Sequence, residues 1–269
     1  MQAIEYLMES DEEALRLDIK TDGKAVEKQA IWAGIKPGMR VADICYGSGK
    51  TTSILYKLVQ PGGTVIGIDG SEKRIAYAKK HYGIKGIEFK CENILNPLDD
   101  LGTFDFVWVR FLLEYYRTNS FDIVKNISRI LKPGGILCLI DLDHNGLNHF
   151  GLSQKLERAL FDAMKKLEES ANFDPYVGRK LYSFLYDLGY QDIDINVMAH
   201  HLIFGRLKGK DAFNWIKKIE VVTRKLDYRF EEYGGGYEEF LEEFKRFFSD
   251  PRRFTYTPVI LCRGRKPLT

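Results

Sequence analysis

Arg40–Thr52 reads RVADICYGSGKTT, and the architecture of the chain follows from it. An apolar, strand-like run, Arg40 to Cys45, carries an acid, Asp43, and leads straight into a glycine turn, Gly47-Ser48-Gly49. A helical pattern follows in Thr52, Leu55, Tyr56, Leu58 and Val59. Glycine suits such a turn because the backbone must reverse sharply and approach a ligand with no Cβ in the way. The helix that follows presents unpaired N–H groups and the positive end of its dipole. A second short strand, Thr64 to Asp69, ends in another acid. In a doubly wound sheet, an acid at the end of the second strand grips ribose hydroxyls. The pattern therefore points to a nucleoside-containing ligand.

Three ligand types compete for this loop. A dinucleotide fingerprint, G-x-G-x-x-G/A, would use Gly47 and Gly49 but meets Thr52 at its third glycine. A P-loop, G-x-x-x-x-G-K-[ST], fits at Gly49-Lys50-Thr51, but Ile44 stands where its first glycine belongs. Leu137–Asp141, LCLID, could then pose as the magnesium-holding strand. A nucleoside-sulfonium pattern, D-x-G-x-G-x-G, matches at Asp43, Gly47 and Gly49, with Cys45 in place of the first glycine.

The flanking sequence alternates strands and helices. Pro-Gly turns at Pro37-Gly38, Pro61-Gly62 and Pro133-Gly134 each precede an apolar run, at 40–45, 64–69 and 135–142. Ser71 can cap a helix carrying Ile75, Ala78 and Tyr82, and Phe121, Val124, Ile127 and Leu131 repeat at helical spacing. Such alternation predicts a parallel sheet covered on both faces. Beyond Leu142 comes a polar loop, Asp143 to Gly151, then helices marked by Leu152–Leu167 and Val177–Leu188, and a strand at Ile193–Met198. About 60 residues separate that strand from the last one, far more than a hairpin needs. This insert carries two amphipathic helices, Asp211–Leu226 and Tyr237–Phe248, and a Gly234-Gly235-Gly236 run that could act as a hinge. Near the N-terminus, Tyr6 to Asp22 reads as a charged amphipathic helix.

Further segments stand in register with the glycine loop. Cys91-Glu92-Asn93 ends a third strand, Gly86 to Cys91; Phe104–Tyr115, FDFVWVRFLLEY, follows; and Leu131-Lys132-Pro133-Gly134-Gly135 precedes the strand Ile136–Leu142. Together with Asp43 and Asp69 these resemble the class I S-adenosylmethionine-dependent methyltransferases, in particular their small-molecule branch, over roughly residues 35 to 198 with a last strand at 258–264. The resemblance implies a doubly wound, seven-stranded, mostly parallel α/β sheet with its last strand antiparallel. It also implies four regions: an N-terminal helical cap over 1–30, a cofactor-binding core over 31–199, a helical and aromatic lid over 200–257, and the last core strand with a tail over 258–269.

The resemblance assigns S-adenosyl-L-methionine as cofactor. Asp43, with Cys45, Gly47 and Gly49, would serve the methionine portion, Asp69 and Gly70 the ribose, Glu92, Asn93 and Ile94 the adenine, and Val109 and Arg110 the region under the sulfonium. Methyl transfer from a sulfonium expels a neutral thioether, so catalysis rests on orientation, desolvation and, for a protic acceptor, removal of a proton. Candidate bases at strand ends are His144, Asp143 and Glu114, with Asp141, His149, His200 and His201 behind them.

A net charge of +2 exerts no general pull toward nucleic acid, and Lys217-Lys218 and Arg252-Arg253 are short and mixed with acids. A small, partly apolar acceptor is thus expected rather than RNA or protein, the alternatives within the same fold; a P-loop nucleotide-binding protein is the alternative outside it. The aromatic residues of the insert would form an acceptor lid or, alternatively, the surface of a homodimer. Cys45, Cys91, Cys138 and Cys262 lack metal-ligand spacing and read as buried reduced thiols, with no metal site. No apolar run of about 18 residues occurs, so a cytoplasmic protein with no membrane span is expected.

Overall fold

The computed structural model describes residues 13–226 and 228–268. The expected leader helix is described only from Glu13 onward; Tyr6 and Leu7 lie outside the described residues. The N-terminal part forms two helices, α1 (Glu13–Lys20) and α2 (Gly23–Ala33). They divide at Asp22, whose side chain accepts hydrogen bonds from Lys24 N–H and Ala25 N–H and so caps α2.

Then come β1 (Arg40–Ile44), α3 (Lys50–Leu58), β2 (Thr64–Asp69), α4 (Glu72–Tyr82), β3 (Ile87–Cys91), β4 (Phe104–Arg110), α5 (Ser120–Arg129) and β5 (Leu131–Leu142). The remainder is β6 (His149–Phe150), α6 (Gln154–Ser170), α7 (Leu181–Asp187), β7 (Gln191–Phe204), α8 (Gly209–Leu226), α9 (Gly236–Ser249) and β8 (Phe254–Arg265). The strand order is β3-β2-β1-β4-β5-β8, with β7 on the outer edge of β8. Pairings among β3, β2, β1, β4 and β5 are parallel, and β8 is antiparallel to β5 and β7. This is the expected doubly wound arrangement of seven principal strands. The eighth strand, β6, is a two-residue addition inside the segment read from sequence as loop; His149 and Phe150 pair with Thr255 and Phe254.

Both faces of the sheet are covered. Val26, Ala30 and Ala33 of α2 and Leu55 of α3 pack on Val41, Phe106, Trp108 and Cys138. On the opposite face, Ile123, Val124 and Ile127 of α5 and Leu181 and Leu185 of α7 meet Val107, Val109, Leu137 and Leu139. The parallel strands are therefore apolar on both sides and read as continuous runs in sequence. Of the four cysteines, Cys138 and Cys262 are buried, Cys45 is half-buried and Cys91 is exposed. The expectation of burial fails at Cys91 because it ends the edge strand β3, which no further strand covers.

The last strand pair is longer than expected. β7 and β8 run on past β5 as a ribbon, pairing Ala199–Phe204 with Phe254–Pro258, with β6 on the other side of β8 at Phe254 and Thr255. Against this ribbon α6, α8 and α9 form a helical cap with its own core. Leu156, Leu160, Ile203, Trp215, Phe240 and Phe244 are among its buried members. Gly234–Gly236 begins α9 in a turn that Gly235 N–H closes on the Glu239 carboxylate, 2.9 Å away. The phenylalanines of α9 stack along its inner face, with Phe244 and Phe248 centroids 5.4 Å apart.

Phe244 is fully buried in the cap, so Phe244→Ala should lower stability by roughly 3–5 kcal/mol. Phe204→Ala, at a side chain 64% exposed on the ribbon, should change it by no more than about 0.5 kcal/mol. Urea titrations followed by circular dichroism compare the two; equal midpoints would contradict the cap core.

Candidate active site at the carboxyl ends of the strands

The loop after β1 turns left-handed at three positions: Cys45 (φ 55°), Gly47 (φ 64°) and Gly49 (φ 88°). These are the positions at which the sulfonium pattern calls for glycine. Cys45 holds a conformation that costs an L-residue energy, which explains why glycine is the usual choice there. A Cβ on Gly49 would come within 2.7 Å of the Ala78 Cβ, so the helix-starting turn can lie against α4 only without a side chain.

Two buried carboxylates hold this loop. Asp43 accepts from the Thr52 hydroxyl at 2.7 Å. Asp69 accepts from Gly47 N–H at 3.1 Å, Ser71 N–H at 3.0 Å and Arg74 Nε at 3.0 Å. Burial pushes Asp43 up to about 7, against the opposing pull of Thr52 and Arg110. Burial likewise brings Arg110 down to about 10, opposed by Asp43 and Asp141. Arg110 donates from Nε to Gln29 Oε1 at 3.2 Å and lies 4.0 Å from the Phe111 ring centroid.

A cavity of about 610 Å³ opens in front of these groups. Nine of the eleven residues expected from sequence to bind cofactor line it: Asp43, Cys45, Gly47, Asp69, Gly70, Glu92, Asn93, Ile94 and Arg110. The other two have structural places: Gly49 starts α3, and Val109 is buried within the sheet core. The opposite wall is α1, with Arg16, Leu17, Lys20 and Thr21. Lys50 anchors α1 by donating to the Asp18 carbonyl at 2.8 Å, and the Tyr82 hydroxyl donates to the Asp18 carboxylate. The lysine of the P-loop alternative is therefore engaged with α1. Asp141, its magnesium-holding candidate, is buried and accepts from Leu113 N–H, Glu114 N–H and Leu142 N–H.

The candidate bases divide. Asp143 forms a two-fold ion pair with Arg179, both contacts at 2.9 Å. His144 lies edge-on to Tyr176, 5.1 Å between centroids, and neither residue lines the cavity. His149 has both ring nitrogens engaged, by Thr255 Oγ1 and the Gly146 carbonyl, and burial brings it down to about 4. Glu114 does line the cavity and accepts from Asn145 Nδ2 at 2.6 Å. His200 lines it as well. Its Nε2 is buried and has no hydrogen-bond partner among the described residues, and burial with the adjacent His201 holds it well below the usual imidazole range.

A family model described as a methyltransferase domain matches residues 42–139, which hold this loop, the Asp69 strand and β4 through most of β5. That segment, a little over a third of the chain, is similar to a methyltransferase domain. Demethylmenaquinone methyltransferase from Bacillus cytotoxicus is 34% identical to the chain over 110 residues, 39% of this chain and 46% of that protein. The enzyme of the same name from Lactococcus lactis is 36% identical, over 40% of this chain and 43% of that one. The chain thus spans a little under half the length of the curated relatives it matches. Phosphoethanolamine N-methyltransferase 2 of Haemonchus contortus, solved in complex with S-adenosyl-L-methionine, shares the fold with a TM-score of 0.57 and 15% identity, over 96% of this chain and 57% of that one.

Beside the motif residues, α1 and the segment after β4 supply cavity residues that the motifs do not announce. Arg16, Lys20 and Tyr116 on the cavity wall carry no pattern of their own. His200 could be singled out from sequence only by its place after a strand.

The unfolded Asp43 carboxyl titrates near pH 4 and the folded one near 7. Between those values the folded state keeps a proton that the unfolded state has lost, so this group's contribution to stability falls as pH rises from about 4 to about 7. Asp141, raised by burial and by Glu114, acts in the same direction in wild type and variant alike. Asp43→Asn should therefore lose less stability than wild type across that window. Urea midpoints measured at steps from about pH 4 to about pH 8 test this; parallel curves would show that Asp43 is not the protonated carboxyl.

Proposed function

We propose that the chain is an S-adenosylmethionine-dependent methyltransferase acting on a small, partly apolar acceptor. One observation carries the reading. The 610 Å³ cavity runs from Asp69 and Glu92-Asn93 past the glycine loop to Arg110, bringing the sequence motifs onto one continuous wall at the strand ends. The set fits a nucleoside with a charged tail. Asp69 offers an ionised acceptor for ribose, Ile94 and Leu112 offer apolar sides, and the buried Tyr46 hydroxyl has no partner among the described residues. Asp43 and Arg110 stand as a carboxyl and a guanidinium for an amino-acid portion.

When bound, the cofactor supplies a methyl group on a sulfonium whose leaving group departs as a neutral thioether. The protein then has to orient the acceptor, exclude water and accept a proton if the acceptor carries one. His200 is placed to accept that proton, because it lines the cavity and its Nε2 is unengaged among the described residues. The cap formed by α6, α8 and α9, acting with α1 as a lid, would exclude water. The demethylmenaquinone methyltransferases match over the cofactor half only, so their names support a small-molecule acceptor as a class and no particular quinone.

Wild type should bind S-adenosylhomocysteine and ignore ATP with magnesium in thermal shift. Replacing Asp69 by Ala removes a charged acceptor and the tie to Gly47, and should weaken S-adenosylhomocysteine binding by roughly 1.5–3 kcal/mol. An unchanged dissociation constant by calorimetry would sink the ribose assignment.

A further inference from the structure

Two smaller cavities continue from the proposed cofactor site into the cap. The first, about 50 Å³, is bounded by Arg16 and Lys20 of α1, Glu114 after β4, His201 of β7, and Trp215 and Lys218 of α8. It shares Arg16, Lys20, Glu114 and Tyr115 with the large cavity. The second, about 60 Å³, shares Tyr115, Asn145, Trp215 and Lys218 with the first and is otherwise apolar, walled by Leu160, Met164, Phe173 and Phe240 among others. A path thus leads from the cofactor cavity through a charged gap to an apolar end.

The charges in that gap do not balance. Arg16 is taken up by Glu13 through two hydrogen bonds of 2.6 Å. Arg110 faces Asp43 and Asp141. Lys20 and Lys218 remain, with Glu114 as the carboxylate acting on both. Glu114 is reached from Lys218 only through Asn145: Lys218 Nζ donates to Asn145 Oδ1 at 2.5 Å, and Asn145 Nδ2 donates to Glu114 Oε2. Among the described residues Lys20 Nζ has no hydrogen-bond acceptor and rests 5.7 Å from the Phe111 ring centroid. Two ammonium groups therefore share one carboxylate away from bulk water, which favours a compensating anion. Burial, with Arg16 also acting, brings Lys20 down to about 7 and Lys218 to about 8. The same two lysines help hold His200 and His201 neutral. Trp215, whose buried Nε1 lacks a partner among the described residues, lines both small cavities and can add an N–H donor.

We propose that the acceptor is a small organic acid, its anionic group held between Lys20 and Lys218 and its compact apolar group seated against Leu160, Met164 and Phe240. The location beside the cofactor cavity rests on the methyltransferase reading; the binding of an acid does not. The apolar end is smaller than the roughly 150 Å³ cavity that admits benzene, so it favours a short branched chain or one ring that presses the cap outward.

Calorimetry with 3-methylbutanoate and benzoate against their uncharged amides, with and without saturating S-adenosylhomocysteine, tests the proposal. The acids should bind at least tenfold more tightly than the amides. Lys218→Met should remove that preference, Lys218→Arg should keep most of it, and neither should alter S-adenosylhomocysteine affinity, because Lys218 does not line the large cavity. Equal binding of acid and amide by wild type, which needs no variant to fold, would overturn the proposal, as would an undiminished preference in Lys218→Met. Failure of S-adenosylhomocysteine to bind would overturn the cofactor reading alone, since the acid preference is read in its absence too.

Discussion

Asp69 ends β2 inside the sheet, and its carboxylate ties the glycine loop, through Gly47, to the first turn of α4, through Ser71 and Arg74. A carboxylate offers about four acceptor sites, and here it takes hydrogen bonds from Gly47, Ser71 and Arg74 among the described residues. These bonds, at 3.0–3.1 Å, hold the loop against α4 from within the protein. The left-handed turn at Cys45, Gly47 and Gly49 is thereby set, and α3 starts directly behind it at the edge of the cavity, which Ser48 and Thr51 line.

Around that anchor the site is assembled from elements of very different kinds. The sheet provides fixed strand ends, packed on both faces by α2, α3, α5 and α7. α1 is attached by polar contacts, Lys50 and Tyr82 to Asp18, and meets the loop through Leu17, which lies close to Gly47. The cap is joined to the rest through the β7–β8 ribbon and the Lys218–Asn145–Glu114 hydrogen-bond relay, while pairs such as Lys155–Glu239 and Ser153–Glu243 hold its own helices together. On the proposed function, strand-end walls for the cofactor and a separately built wall for the acceptor suit a reaction whose barrier is lowered chiefly by orientation and desolvation.

The sheet was legible in the sequence because strand, turn and helix signals agreed along Arg40–Leu142, and acids stood at the strand ends where the topology brings them together. Local signals also marked Ser71 as a cap and the faces of α8 and α9. What escaped was non-local. The extension of β7 through Phe204 is supported by pairing with Thr255 and Phe254, about fifty residues away, and alternation alone does not reveal it. The two-residue β6 has the same cause. Among the candidate bases, Asp143 sits at a strand end as expected, but Arg179 from the segment before α7 captures it. The lysine pair was illegible for a similar reason: Lys20 and Lys218 meet only when the first helix and the cap close on the same gap.

The separateness of the cap core has a consequence for how such a chain can change. Its buried members come from α6, α8, α9, the segments beside them and Ile203 of the ribbon, and none from β1 to β5. Substitutions there should combine nearly additively with those around Asp43 and Asp69, because the two sets share no packed neighbours. If the proposed function holds, acceptor preference can drift by repacking of the cap while the walls around Asp43 and Asp69 stay constant. In evolutionary terms, the cap is where this scaffold can diversify at least risk to the chemistry at its strand ends.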